Sequence, residues 1–147
     1  MKNTLSTLTI FLSLLLLTQS RSAAQTADVI LGKWLTEGDK SIVEVWKANG
    51  AYQGKIVWIK DSLENGKPKV DKFNPIESRR KQPALGLQIL SHLKFNNNEW
   101  VEGTIYDPEN GKEYSCKATM NGEKLDLRGY VLGLPFLGRT TTWRRVP

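Results

Sequence analysis

The stretch EWVEGTIYDPENGKEYSCKATMNGEKLDLRGY, residues 99 to 130, decides the fold. Val101, Gly103 and Ile105 alternate with Glu102 and Thr104. Tyr114, Cys116, Ala118 and Met120 alternate with Glu113, Ser115, Lys117 and Thr119. Leu125 and Leu127 alternate with Lys124, Asp126 and Arg128. A period of two places one set inward and leaves the other wet, the mark of half-buried β-strands. The breaks between the runs are short: Asp107-Pro108-Glu109-Asn110-Gly111, then Asn121-Gly122. Links of this length join neighbouring antiparallel strands.

Outward from this stretch the pattern continues. Asn-Gly also occurs at Asn49-Gly50 and Asn65-Gly66, and tight hairpins need the positive φ that Asn and Gly adopt at least cost. Tyr52, Gly54, Ile56 and Trp58 share one face of a further run. Leu85, Leu87, Ile89, Leu93 and Phe95 fall opposite Gln88, His92 and Lys94, and Asn96-Asn97-Asn98 is the next turn. Eight strands are predicted, near 32–37, 41–48, 51–60, 85–95, 99–106, 112–120, 123–130 and 139–146. An up-and-down antiparallel meander of this size avoids exposed edges by closing into a barrel. Its interior is then filled by side chains or holds one small ligand. Residues 61–84 break the rhythm as a long basic loop with three prolines and a short helical turn after Pro75.

The start of the chain reads as an export signal. Met1-Lys2 is basic, Leu5 to Thr18 is apolar, and Ser22-Ala23-Ala24 offers small residues for cleavage after Ala24. The apolar run is shorter than the ~20 residues a membrane-spanning helix needs. Residues 25–147 would form one soluble domain, periplasmic or secreted, with no transmembrane segment. Its net charge falls from +6 to +4 once Lys2 and Arg21 are removed. Cys116 is the sole cysteine, so no intrachain disulfide forms and the core alone must hold the domain.

The blocks Gly32-Lys33-Trp34, Asn74-Pro75, Arg80, Pro83 and Gly86-Leu87 precede Trp100, Gly103 and Ile105-Tyr106-Asp107-Pro108-Glu109-Asn110-Gly111-Lys112 with Tyr114. Leu127-Arg128-Gly129-Tyr130, Leu137-Gly138-Arg139-Thr140 and Trp143 follow. In this order and spacing the chain resembles an uncharacterised family of secreted bacterial proteins, domain of unknown function 2147. It departs from that family at Ile76, where an aspartate often follows Asn-Pro. Gly32-Lys33-Trp34 at one end and Trp143-Arg144-Arg145 at the other also resemble the lipocalin-like, or calycin, barrels. The resemblance implies a lipocalin-like barrel, an envelope location, and a basic residue from the chain end lying across the Trp34 indole. It implies no activity.

Candidate sites follow from the inward face. Trp34, Tyr52, Trp58, Tyr130, Phe136 and Arg144 are the expected ligand-binding residues if the barrel is hollow; if it is solid, the aromatics are core. The run Val131-Leu132-Gly133-Leu134-Pro135-Phe136-Leu137-Gly138 is too apolar for an ordinary hairpin tip. It is expected to plug one mouth and double as a pocket wall, with a lid as the alternative. Arg79, Arg80 and Lys81 could meet an anionic envelope surface, and an envelope protein acting through this loop is the alternative to a carrier. Nucleic acid is not an expected partner of an exported chain. His92 is the sole histidine, and the two carboxylates of 107–111 are too few for a calcium loop, so neither metal nor cofactor is expected. No nucleophile motif, phosphate loop or paired carboxylates point to an enzyme.

Overall fold

The computed structural model describes residues 26–147; the expected signal segment, 1–24, lies outside the described residues. A 3-10 turn, Ala27–Ile30, leads into β1 (Gly32–Leu35), and a second, Glu37–Asp39, leads into β2 (Ser41–Ala48). β3 (Ala51–Ile59) is followed by a small hairpin, β4 (Leu63–Glu64) and β5 (Lys67–Pro68), and a third 3-10 turn, Glu77–Arg79. Then come β6 (Gln88–Asn96), β7 (Glu99–Asp107), β8 (Lys112–Asn121), β9 (Lys124–Val131) and β10 (Leu134–Val146). Eight strands close a barrel in the order β1-β10-β9-β8-β7-β6-β3-β2, every pair antiparallel. The expected closed meander is therefore the fold. β4 and β5 stand apart as a hairpin inside the long loop.

The hairpin chemistry works as the sequence suggests at two of the four Asn-Gly pairs; at Asn110-Gly111 and Asn121-Gly122 only the glycine has positive φ. Asn49 and Gly50, and Asn65 and Gly66, all have φ between 51° and 75° and form the positive-φ pairs that match strand twist. Asn97 and Asn98 do the same between β6 and β7 at φ 49° and 63°.

Where the inward phase departs from a strict period of two, a bulge is the cause. On β3, Ile42 pairs with Trp58 but Val43 pairs with Ile56, so one extra residue is inserted. Ile56 is buried, and Trp58 turns outward at 42% exposure. On β6, Tyr52 pairs with Leu93 and Gly54 with Leu90, three residues against two, with His92 at φ +61°. The buried set is therefore Ile89, Leu90 and Leu93, not the alternation from Leu85, which is exposed ahead of the strand. On β7, Trp100 pairs with Ala118 and Gly103 with Cys116, with Glu102 at φ +59°. Trp100 rather than Val101 is thus fully buried beside Gly103. Each inserted residue flips the phase of all that follows it.

One end of the barrel is packed solid. Ile30, Trp34, Tyr52, Leu93, Trp100 and Leu125 are essentially sealed there, and Cys116 lies in the same core, as its strand phase predicts. A side chain on Gly103 would meet Leu93 Cδ2 at 2.5 Å, so this glycine lets the walls meet. The Trp34 Nε1 donates to the Ile30 carbonyl at 2.8 Å. Trp100 Nε1 donates to the Ala27 carbonyl at 3.1 Å, pinning the entry turn across the base. The Arg145 guanidinium lies 4.2 Å from the Trp34 ring centroid and donates to the carbonyls of Leu31 and Val29.

Arg144, expected among the ligand-binding residues, faces the other way and pairs with Asp39 at 2.6 Å. Trp143 is buried, so the next residue must point out and the one after it in. Replacing Arg145 with Ala removes a cation–π contact and two carbonyl partners, and should cost about 2 kcal/mol. The same change at exposed Arg144 should cost under about 1 kcal/mol. Urea unfolding followed by tryptophan fluorescence measures both; equal losses would contradict the assignment of the cap to Arg145.

Candidate functional site

The opposite end is hollow. A cavity of about 1040 Å³ opens between the ends of β3, β7 and β9 and the start of β10. Its deep wall is apolar, from Ile56, Ile89, Ile105, Leu127 and Trp143, and its rim is polar. The base tryptophans consume the volume at one end, while at the other the wall includes Gly129, which contributes no side chain to the lumen.

The rim is tied by ion pairs between separate loops. The Lys40 ammonium bonds both carboxylate oxygens of Glu109 at 3.0 Å, Arg139 bonds Glu37 at 2.7 Å, and Lys72 bonds Glu64 at 2.6 Å. All are solvent-exposed, so each is worth at most about 1 kcal/mol, and they shape the mouth more than they stabilise it. The turn 107–111 is structural, as its sequence suggests. Asp107 accepts from the Glu109 amide and the Asn110 side chain, both at 2.9 Å.

One wall comes from the long loop, through Val70, Phe73 and Ala84. A buried acid anchors it. Asp71 is fully buried and makes no ion pair among the described residues. Instead it accepts three hydrogen bonds: from Tyr106 Oη at 2.7 Å, Asn74 Nδ2 at 2.7 Å and Gln82 Nε2 at 3.2 Å. Burial, reinforced by this bond to Asp71, pushes the Tyr106 hydroxyl up to about 12. Asn74 also accepts from the Ile76 amide and, through its carbonyl, from Arg80 Nε, both at 2.8 Å. Gly111 completes the dock: at φ +72°, a Cβ there would sit 1.9 Å from the Phe73 carbonyl oxygen.

Of the residues expected to bind a ligand, only Tyr130 lines this cavity. Trp34 and Tyr52 are sealed in the base, and the Tyr52 hydroxyl donates to Asp28 at 2.6 Å. That bond and the Lys47 ammonium hold Asp28 below the usual carboxylate range. Trp58 lies outside because of its bulge, and Arg144 faces outward. Phe136 is 74% exposed and Leu132 83%. Residues 131–136 therefore neither plug the mouth nor cover it, and only Leu137 and Gly138 contribute to the expected pocket wall. β9 and β10 run on past the rim as a hairpin, and the extra residues between Leu134 and Gly138 form a bulge that turns Phe136 outward. Arg79, Arg80 and Lys81 are exposed on the loop. The Asp71–Tyr106 anchor was not read from the sequence, because a lone acid in a basic loop carries no periodic signal. Trp143 and Leu127 were legible only as core.

A family model matches residues 32–145, nearly the whole described chain. The chain belongs to the DUF2147 family. Its members are described as uncharacterized proteins conserved in bacteria. The DUF2147 barrel is also similar to the solved structure of a protein from the human pathogen Helicobacter pylori, described as belonging to the lipocalin family. The TM-score is 0.70 at 25% identity, over 80% of this chain and 82% of that one. No curated protein matches. The blocks noted above divide between the two ends: Trp34, Trp100 and Gly103 pack the base, while Asn74 and Arg80 fold the loop, Tyr106 anchors it, and Gly129, Tyr130, Leu137, Gly138 and Arg139 line the mouth.

Asp71→Ala would leave three buried donors without their acceptor, a loss of about 2 kcal/mol or more. Trypsin should then cut at Arg79, Arg80 and Lys81 at least ~10-fold faster while the barrel's circular dichroism is unchanged; unchanged cleavage would show that Asp71 does not hold the loop. Burial also pushes the Cys116 thiol up to about 12 from 9.0, as the Tyr106 hydroxyl rises from 10.0. The unfolded chain loses these protons first, so their stabilising effect is complete below pH 9 and declines as pH rises towards 12. Tyr106→Phe should flatten that decline above pH 10, and Cys116 should resist thiol reagents until the protein unfolds.

Proposed function

We propose that this protein is an exported bacterial carrier that binds one small apolar or amphipathic molecule in the hollow end of its barrel, acting in the periplasm or outside the cell. The observation that carries this reading is the cavity itself. Its volume, about 1040 Å³, lies near the upper end of small-molecule sites. An apolar tail would rest on Ile56, Ile89 and Leu127, and a polar head would meet the charges of the rim. Burying such a tail releases water from an apolar wall at about 25 cal/mol per Å². The likeness to a lipocalin-family structure supports the same role, and the signal-like residues 1–24 support export.

Binding rather than catalysis suits the groups at hand. Asp71 and Tyr106 are bonded to each other, Cys116 is sealed in the core, and His92 sits on the exposed bulge of β6. None presents a free nucleophile or base to the lumen.

Titration of the mature protein with a dansylated fatty acid, read by fluorescence, tests the proposal. Saturable, blue-shifted emission is expected. A Cβ on Gly129 would make only ordinary contacts, 3.5 Å to Ile105 Cγ2 and 3.8 Å to Tyr114 Cβ, so Gly129→Phe should fill the lumen without breaking the wall. Affinity should fall by at least ~10-fold while the melting temperature changes little. Absence of saturable binding, or equal binding by a folded Gly129→Phe variant, would overturn the carrier reading.

A further inference from the structure

Apart from Leu137 and Gly138, which line the cavity mouth, the hairpin 131–138 has no counterpart in the carrier reading. Val131, Leu132, Leu134, Phe136 and Leu137 are all exposed, Leu132 at 83% and Phe136 at 74%. Isolated apolar residues on a surface need no account, but five within seven positions of one protruding tip do. The tip is narrow and convex, made by two strands that continue past the barrel wall. Arg128 and Arg139 stand at its neck, with Arg128 donating to the Pro135 carbonyl at 2.9 Å. Lys60 and Lys69, on the same mouth, make no ion pair among the described residues. Across the mouth, Phe73 and Val70 add a second exposed apolar spot at 51% and 37%.

We propose that this hairpin docks the protein on a phospholipid bilayer, with Leu132, Leu134, Phe136 and Leu137 entering the interface and the cavity mouth turned towards the lipid. The inference goes beyond the carrier reading and stands without it. Four residues separate Arg128 from Leu132, which at ~3.3 Å per residue along a tilted strand places the tip about 10 Å beyond the Arg128 backbone, while its guanidinium reaches up the hairpin to the Pro135 carbonyl. Interfacial segments bury their apolar side by ~5–10 Å below the headgroups. Arg128 and Arg139 then lie at the level of the lipid phosphates, where a guanidinium fits a phosphate through two N–H groups. The Arg139–Glu37 pair is exposed and readily exchanged.

A bilayer suits a convex wedge because it deforms around it. A protein partner would need a concave apolar receptor, and the one this chain offers is the cavity at the same end. Mouth-to-mouth pairing of two copies is therefore the competing outcome.

Co-sedimentation of the mature protein with vesicles of phosphatidylcholine and phosphatidylglycerol tests the proposal. The wild type should pellet with vesicles, more strongly as the anionic fraction rises. Leu132→Asp with Phe136→Asp, both at exposed positions, should weaken partitioning by at least ~10-fold, and Arg128→Ala with Arg139→Ala should weaken the dependence on anionic lipid. An environment-sensitive dye on Leu132→Cys should shift to the blue when vesicles are added. Gly129→Phe should still pellet, which separates docking from cavity binding. No partitioning by the wild type would overturn the proposal. So would equal partitioning by the Asp variant, which would assign any binding to another surface such as the Arg79–Lys81 loop. A lipid-independent dimer that the Asp variant breaks, without vesicle binding, would assign the hairpin to self-pairing instead.

Discussion

The indole of Trp34 is held from three sides, and the barrel is organised around that grip. Its N–H is bonded to the Ile30 carbonyl, its face is covered by the Arg145 guanidinium, and its edges are sealed in the base core. Arg145 in turn bonds two carbonyls of the entry segment. The first strand, the last strand and the turn before the first strand are thus locked at one point. β1 and β10 pair only over Lys33 to Leu35, a short seam for closing a sheet. The cation–π contact and the carbonyl bonds reinforce that seam where the ladder is briefest.

Concentrating the large aromatics at the base has a consequence for the other end. Trp34, Trp100 and Tyr52 fill the lower lumen and are sealed from solvent there. The upper lumen receives branched aliphatic residues and glycines, and a cavity remains. Its wall is completed by a loop that folds back over the mouth through an uncharged set of donors around one buried carboxylate, Asp71. A buried acid without a cation is costly unless its oxygens are satisfied, so Tyr106, Asn74 and Gln82 make the loop's position specific. The surface ion pairs nearby adjust the rim and contribute little to its stability.

Much of the fold was legible because hairpins declare themselves locally. Four Asn-Gly pairs and runs of alternating residues located the strands, and Trp34 beside a terminal guanidinium indicated the sealed end. The inward set was less legible. A single inserted residue at Val57, His92 or Glu102 reverses every side chain beyond it, and none of these insertions alters composition or local propensity. The alternation therefore puts Trp58 inside, whereas the structure turns it outward. The resemblance leaves the cap of Trp34 open between Arg144 and Arg145, and the inward phase of Trp143 selects the second, two positions on.

By itself the sequence determined an all-β meander, its approximate strands, its turns and the plugged base, because each depends on neighbours a few residues away. Only the tertiary structure decided that the lumen is half empty, that Asp71 is its loop anchor, and that residues 131–138 stand out in solvent. Those features depend on how much volume distant strands leave between them and on where bulges redirect a chain. A linear pattern records which residues prefer burial, but the space available for burial is set by the closed sheet as a whole.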